Sequence, residues 1–167
     1  MTDPTKDLAA ALAEPGQPLP TFRALERLVD ETIGVKLFTL MEIDRARGVA
    51  RRFYSNMPDA YPTSGEKPIV PNVWTERVEG RGEAFVANDI DEIAAVFPDH
   101  GLIRSLGCES CLNLPVTIGG RVIGTLNCLH AAGHYTPARV AAAETLKLPG
   151  ALAFLLAATL KKDDTDV

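Results

Sequence analysis

Apolar positions change period along the chain. Phe22, Leu25, Leu28, Val29 and Ile33 recur at helical spacing. This predicts an amphipathic helix with one buried stripe, capped by Thr21 and stopped by Gly34. The period then falls to two. Over 35–43, Leu37, Thr39, Met41 and Ile43 share one side, and over 49–54 Val49, Arg51 and Phe53 alternate with Ala50, Arg52 and Tyr54. With the polar turn 44–48 between them, these segments predict a hairpin. Residues 55–71 lose all periodicity and carry Pro58, Pro62, Pro68 and Pro71. A segment of that length inside a compact domain is usually functional or mobile. A helical piece with Val73, Trp74 and Val78 is expected over 72–79, a short strand over 85–87, and short helices over 92–96 and 99–106.

The clearest period-two signal is 107–130, where two β-rich segments flank Gly119-Gly120, a dipeptide suited to a two-residue hairpin turn. Centring the turn there places Cys111 opposite Cys128, Asn113 opposite Leu126 and Pro115 opposite Gly124. Opposed residues share a sheet face. One face then carries Cys111, Asn113, Leu126 and Cys128, a mixture of polar and small groups that suits a cavity wall. The greasier face, with Leu112, Leu114, Val116 and Leu129, is expected to pack on helices. A slip of one residue would exchange the faces.

Thr136-Pro137 starts a last helix that reaches Leu160 with a kink or break at Pro149-Gly150. At the other end, Asp3 and Pro4 begin a short helical arm that either packs on the body or hangs free. The organisation expected is therefore a helical arm and Pro-rich linker over 1–19, one domain over 20–160 and a charged flexible tail over 161–167. Helix, hairpin, covered middle segment, hairpin, helix is an α+β order. Terminal helices can cover one face of a central antiparallel sheet and the middle segment the other, leaving a cavity beneath it.

Composition narrows the function classes. A formal net charge of -5 argues against a nucleic-acid partner. No apolar run reaches about 18 residues, so no membrane partner is expected. The start lacks a signal-peptide pattern, and three cysteines make no disulfide framework, so a reducing cytoplasm is the expected location. Cys108 and Cys111 have C-x-x-C spacing, but a strand separates residues three apart onto opposite faces, which weakens a redox or metal reading. No metal site and no cofactor is expected.

The element order, Trp74 in the first cover helix, Asn88-Asp89 before a short helix, and the stretches L-N-L-P-V (112–116) and V-I-G-T-L-N-C-L-H (122–130) together resemble a GAF domain of the small stand-alone bacterial type. The resemblance covers 20–160. It implies a sheet of about six antiparallel strands, with a small-molecule ligand on the face opposite the terminal helices. It also implies a homodimer through those helices, and output by that dimerisation or through a separate effector protein. The chain departs from the cyclic-nucleotide-binding pattern, since Asn127 is followed by Cys128 rather than lysine. It departs from the bilin-attaching Cys-His pattern, since Cys108 precedes Glu109.

The candidate ligand contacts are Cys111, Asn113, Leu126 and Cys128 on the hairpin, with Trp74, Asp89, Phe97 and Ile103 in the cover. Tyr54 joins them at a strand end, where an inward Arg52 would also meet an anionic ligand. Core packing explains Trp74, Phe97 and Ile103 equally well, capping explains Asp89, and a solvated surface charge is the plainer reading of Arg52. The expected function is small-molecule binding for sensing or regulation. The alternative is a thiol-dependent reductase of the free methionine-R-sulfoxide reductase type, with Cys111 and Cys128 as its catalytic thiols.

Overall fold

A computed structural model of the chain describes residues 3–63 and 65–165. Residues 1–2 of the expected arm, residue 64 of the long segment and residues 166–167 of the expected tail lie outside the described residues. The elements run α1 (Pro4–Ala13), α2 (Leu19–Ile33), β1 (Leu37–Asp44), β2 (Val49–Ser55), β3 (Glu66–Pro68), β4 (Phe85–Ala87), α3 (Ile90–Ala94), α4 (His100–Ser105), β5 (Ser110–Ile118), β6 (Arg121–His130), α5 (Pro137–Ala143) and α6 (Lys147–Thr165). Thr75–Gly80 adds a turn of π-helix before β4. The six strands form one antiparallel sheet in the order β3-β2-β1-β6-β5-β4. The α+β class and its layers are those expected. Strand β3, inside the long irregular segment, was not.

One face of the sheet packs on α2, α5 and α6. The α2 stripe of Phe22, Leu25, Val29 and Ile33 meets Phe38, Leu40, Leu114 and Leu126, with Leu146 and Phe154 from the C-terminal helices. The N-terminal arm packs on the body. Leu8 and Ala11 of α1 meet Ala24 of α2, and Gln17 donates from Nε2 to the Ala11 carbonyl at 2.6 Å. Thr21, expected to cap α2, is instead buried within it and donates to Gln17 Oε1 at 2.6 Å, because the helix already begins at Leu19. The opposite face carries a second core of Leu37, Tyr61, Trp74, Val78, Ile93 and Ile103.

Both hairpins contain a one-residue irregularity that alternation does not foresee. In the first, Leu40 pairs with Tyr54 but Met41 pairs with Arg52, so Phe53 has no partner and Tyr54 turns to the helix side with it. In the second, Thr117 pairs with Val122 but Val116 pairs with Gly124, leaving Ile123 unpaired. Beyond that point every pairing is shifted by one. Cys111 lies opposite Leu129, Leu112 opposite Cys128, and Asn113 opposite Asn127. The expected faces hold for β5 and are exchanged for β6 beyond Ile123.

The break in the last helix falls at a 3₁₀ turn, Glu144–Leu146. Proline disturbs the turn before it, where its ring crowds the carbonyl four residues earlier, so Pro149 acts upstream of the expected site. Helix α6 continues to Thr165 where a tail was expected from 161, and Lys161 Nζ bonds Glu42 at 2.8 and 2.9 Å. The combined helix 137–162 contains an 18-residue window of mean hydropathy 1.5, so by length and composition alone it matches a membrane span, which the absence of a long apolar run did not lead one to expect. Here it serves as a covering helix, laying Ala143, Leu146, Ala153 and Phe154 into the core.

Two glycines let α6 approach the sheet. A Cβ on Gly150 would stand 2.6 Å from Leu126 Cδ1, and one on Gly124 would run into the Phe154 ring and the Met41 carbonyl oxygen. The Met41 oxygen is backbone and cannot move alone. Gly124→Ala is therefore expected to destabilise the fold by about 1–3 kcal/mol in urea unfolding, the usual range for overpacking.

Candidate functional site

A cavity of about 420 Å³ lies between the second sheet face and its cover. Its floor is built by alternate residues of the central strands: Thr39 and Met41 from β1, Asn127 and Leu129 from β6, Cys111 and Asn113 from β5. The cover contributes Tyr61, Ile69, Trp74, Phe97 and Ile103.

A chain of buried hydrogen bonds crosses the floor. Trp74 Nε1 donates to Asn113 Oδ1 at 3.0 Å, Asn113 Nδ2 to Asn127 Oδ1 at 2.8 Å, and Asn127 Nδ2 to Thr39 Oγ1 at 3.2 Å. Amides this deep need partners, and here they satisfy one another while tying the cover to three strands.

A charged cluster closes one end. Arg52 Cζ sits 3.7 Å from the Tyr61 ring centroid, and its Nη1 donates to the Pro62 carbonyl at 2.7 Å. The Tyr61 hydroxyl donates to Asp99 Oδ2 at 2.7 Å, and Lys67 Nζ reaches the same oxygen at 2.9 Å. Burial pushes the Asp99 carboxyl up, but the bonds from Lys67 and Tyr61 outweigh it and hold the group below its ordinary value. Burial, with Asp99 alongside, pushes the Tyr61 hydroxyl up, so it stays protonated and donating.

Of the candidate contacts, Trp74, Phe97, Ile103, Cys111 and Asn113 stand on this wall. Four do not. Tyr54 lies on the helix side and donates to Glu26, carried there by the irregularity at Phe53. Leu126 and Cys128 are turned into the helix-side core by the shift at Ile123. Asp89 caps α3, accepting from the Glu92 amide at 2.9 Å. The sequence reading missed Thr39, Asn127, Tyr61 and Lys67. Thr39 was legible as a polar residue in an otherwise apolar strand row. Tyr61 and Lys67 lie where no periodicity exists.

The thiol pair separates. Cys111 belongs to the core under the cover and Cys128 to the core under the helices. All three cysteines are free and buried. Burial pushes the Cys111 thiol up to about 12, and burial raises Cys108 and Cys128 as well. Thiols in such surroundings stay protonated and inert. Among the described residues, no three His, Cys, Asp or Glu side chains group as metal ligands.

A family model described as GAF domain matches residues 22–154. No curated protein matches the sequence. Among solved structures, the chain is similar to the GAF domain of a phosphoenolpyruvate-protein phosphotransferase from Coxiella burnetii, at 16% identity and TM-score 0.67, covering 96% of this chain and 94% of that one. A GAF domain/HD domain protein from Geobacter sulfurreducens matches at 13% identity and TM-score 0.64, over 84% and 91% of the two chains. The free methionine-R-sulfoxide reductase from Neisseria meningitidis, solved with its substrate, matches at 15% identity and TM-score 0.64, over 94% and 89%. At these identities the likeness is one of fold.

Asn113→Leu would orphan Trp74 Nε1 and Asn127 Oδ1 together. Its expected cost in urea unfolding is about 2–4 kcal/mol, from two unpaired buried groups. A loss below about 1 kcal/mol would show that the amide chain is not structural. The thiols give a second prediction. Ellman's reagent at pH 8 should label native protein at least ~100-fold more slowly than urea-unfolded protein. Rapid labelling of native Cys111 would restore thiol chemistry to the site.

Proposed function

The chain belongs to the GAF domain family, and we propose that it is a sensory module holding one small molecule between sheet and cover. The observation that carries this reading is the cavity itself. It has the size and the mainly apolar wall of a ligand site, with a few convergent polar groups. Membership in a family of generally small-molecule sensory domains supports it. An occupant would touch the floor through Thr39 and Leu129 and the cover through Tyr61, Trp74 and Phe97 together. Its binding energy would then favour the state in which the cover is seated.

The floor strands present Phe38, Leu40 and Leu126 to α2 and α6 on the other side, so a change in the floor reaches the terminal helices through one layer of side chains. We read those helices as the output surface, acting through self-association or a separate effector. Leu148 and Leu155 of α6, 81% and 52% exposed, support that reading. Three unpaired thiols support a reducing cytoplasm. A reductase built on Cys111 and Cys128 has no support from the geometry, since the two face different cores.

Trp74 is the one tryptophan of the chain and stands on the cavity wall, so its fluorescence reports the site. Native mass spectrometry of the purified protein, followed by titration of any small molecule it carries, should give a 1:1 complex that shifts Trp74 emission. Asn113→Leu should weaken that complex by about tenfold or more, because it frees Trp74 from the floor and unseats the cover the occupant touches. A protein that carries nothing, and whose melting and emission no metabolite mixture alters, would end the reading.

A further inference from the structure

The cavity's charge is one-sided. Arg52 and Lys67 are the charged side chains on its wall, and no carboxylate is among the lining residues. The two cations differ in what they already hold. Lys67 is paired with Asp99 at 2.9 Å. Among the described residues, the Arg52 side chain makes one hydrogen bond, from Nη1 to Pro62, its Nε is buried without a partner, and no ion pair engages it. Its Cζ lies 3.7 Å over the Tyr61 ring, a contact that holds the guanidinium in position. A half-buried cation without a counter-ion is poorly solvated, and an oxyanion would relieve it with charge-assisted hydrogen bonds.

The other polar wall makes no such demand. Trp74, Asn113, Asn127 and Thr39 bond one another in sequence. The remaining surface, with Met41, Ile69, Phe97, Ile103 and Leu129, is apolar. The unmet polar demand is thus gathered at one end of a greasy chamber.

We infer that the ligand is an organic anion with an apolar body, its oxyanion held by Arg52 and its body lying along Phe97, Ile103 and Leu129. Lys67 is held by Asp99, which leaves Arg52 as the cation on the described wall that lacks a counter-charge. This rests on the cavity being a binding site, as proposed above, and goes beyond it by naming the ligand's chemistry. Arginine suits the role better than lysine because its planar fork matches an oxyanion and its orientation is already fixed.

A matched pair of probes tests it. 8-Anilinonaphthalene-1-sulfonate is an aromatic anion, and N-phenyl-1-naphthylamine has the same aromatic body without the charge. Both light up in apolar surroundings, and a shift of the Trp74 Nε1–H resonance in NMR marks molecules that bind in the cavity. The anion should bind the wild-type chain at least about tenfold more tightly than the neutral probe, the worth of one charge-assisted contact. Arg52→Gln should remove that preference while leaving the neutral probe within about twofold. Lys67→Gln should also weaken the anion alone, since it leaves Asp99 uncompensated beside the anchor.

Equal affinity of the two probes for wild type overturns the inference without need of any variant, and leaves the cavity reading standing. A preference that survives in folded Arg52→Gln, checked by circular dichroism, overturns it too. If neither probe shifts the Trp74 Nε1–H resonance, the cavity is closed to ligands and both readings fall.

Discussion

Asn113 can bond Asn127 only because β6 holds one more residue than β5 between the turn and that pair. Without the unpaired Ile123, Asn113 would face Leu126, and Asn127 would point into the helix-side core among leucines. A buried amide there would have no partner, at a cost of a few kcal/mol. The irregularity therefore fixes which half of β6 is polar floor and which is apolar core. It also sets Leu129 beside Cys111 on the cavity side and Leu126 under α6. The β6 side of the site follows from that offset.

The offset also explains the crowding by α6. Gly124 sits next to the unpaired residue, on the helix side, where Phe154 packs directly on the strand. Gly150 plays the reciprocal part on the helix, over Leu126 and Val116. The sheet is thus pressed between a close-packed helical layer and a looser cover that keeps a cavity. Two faces of one sheet can differ this way because each draws on alternate residues of the same strands.

Much of this was legible in the sequence, and what was not has a common cause. Helical spacing in α2, the two hairpin turns, the capping signals at Asp3, Asp89 and Thr136, and the layer order follow from local chemistry, which composition displays directly. The β5 half of the site, Cys111 and Asn113, followed from alternation alone. Tyr54, Leu126 and Cys128 were misplaced because alternation counts residues, and an irregularity adds one without a distinctive side chain. Phe53 and Ile123 are ordinary strand residues, so neither announces itself. The burial of an asparagine at 127 was the available clue. A polar residue assigned to a greasy face conflicts with its own solvation, and shifting β6 by one removes the conflict. Tyr61 and Lys67 gave no such clue, since their positions depend on how an aperiodic segment folds back on the sheet.

That segment is held by charge as much as by apolar contact, and the same groups flank the proposed anchor. Tyr61, Lys67 and Ile69 line the cavity from the segment around β3, while Val96, Phe97 and Ile103 line it from α4 and the loop before it. The two parts meet where Lys67 and Tyr61, from the first, both bond Asp99, just before α4 in the second. Arg52 lies against that junction, stacked on Tyr61 and bonded to Pro62. Among the described residues a carboxylate neutralises Lys67 but none neutralises Arg52, so the proposed anion would supply the missing counter-charge at the point where both covers join. Occupancy would then be felt by the two halves at once, through Tyr61, rather than by whichever half the ligand happened to touch. The proposed ligand would thus act on both halves of the cover through the joint that Tyr61 and Lys67 make with Asp99.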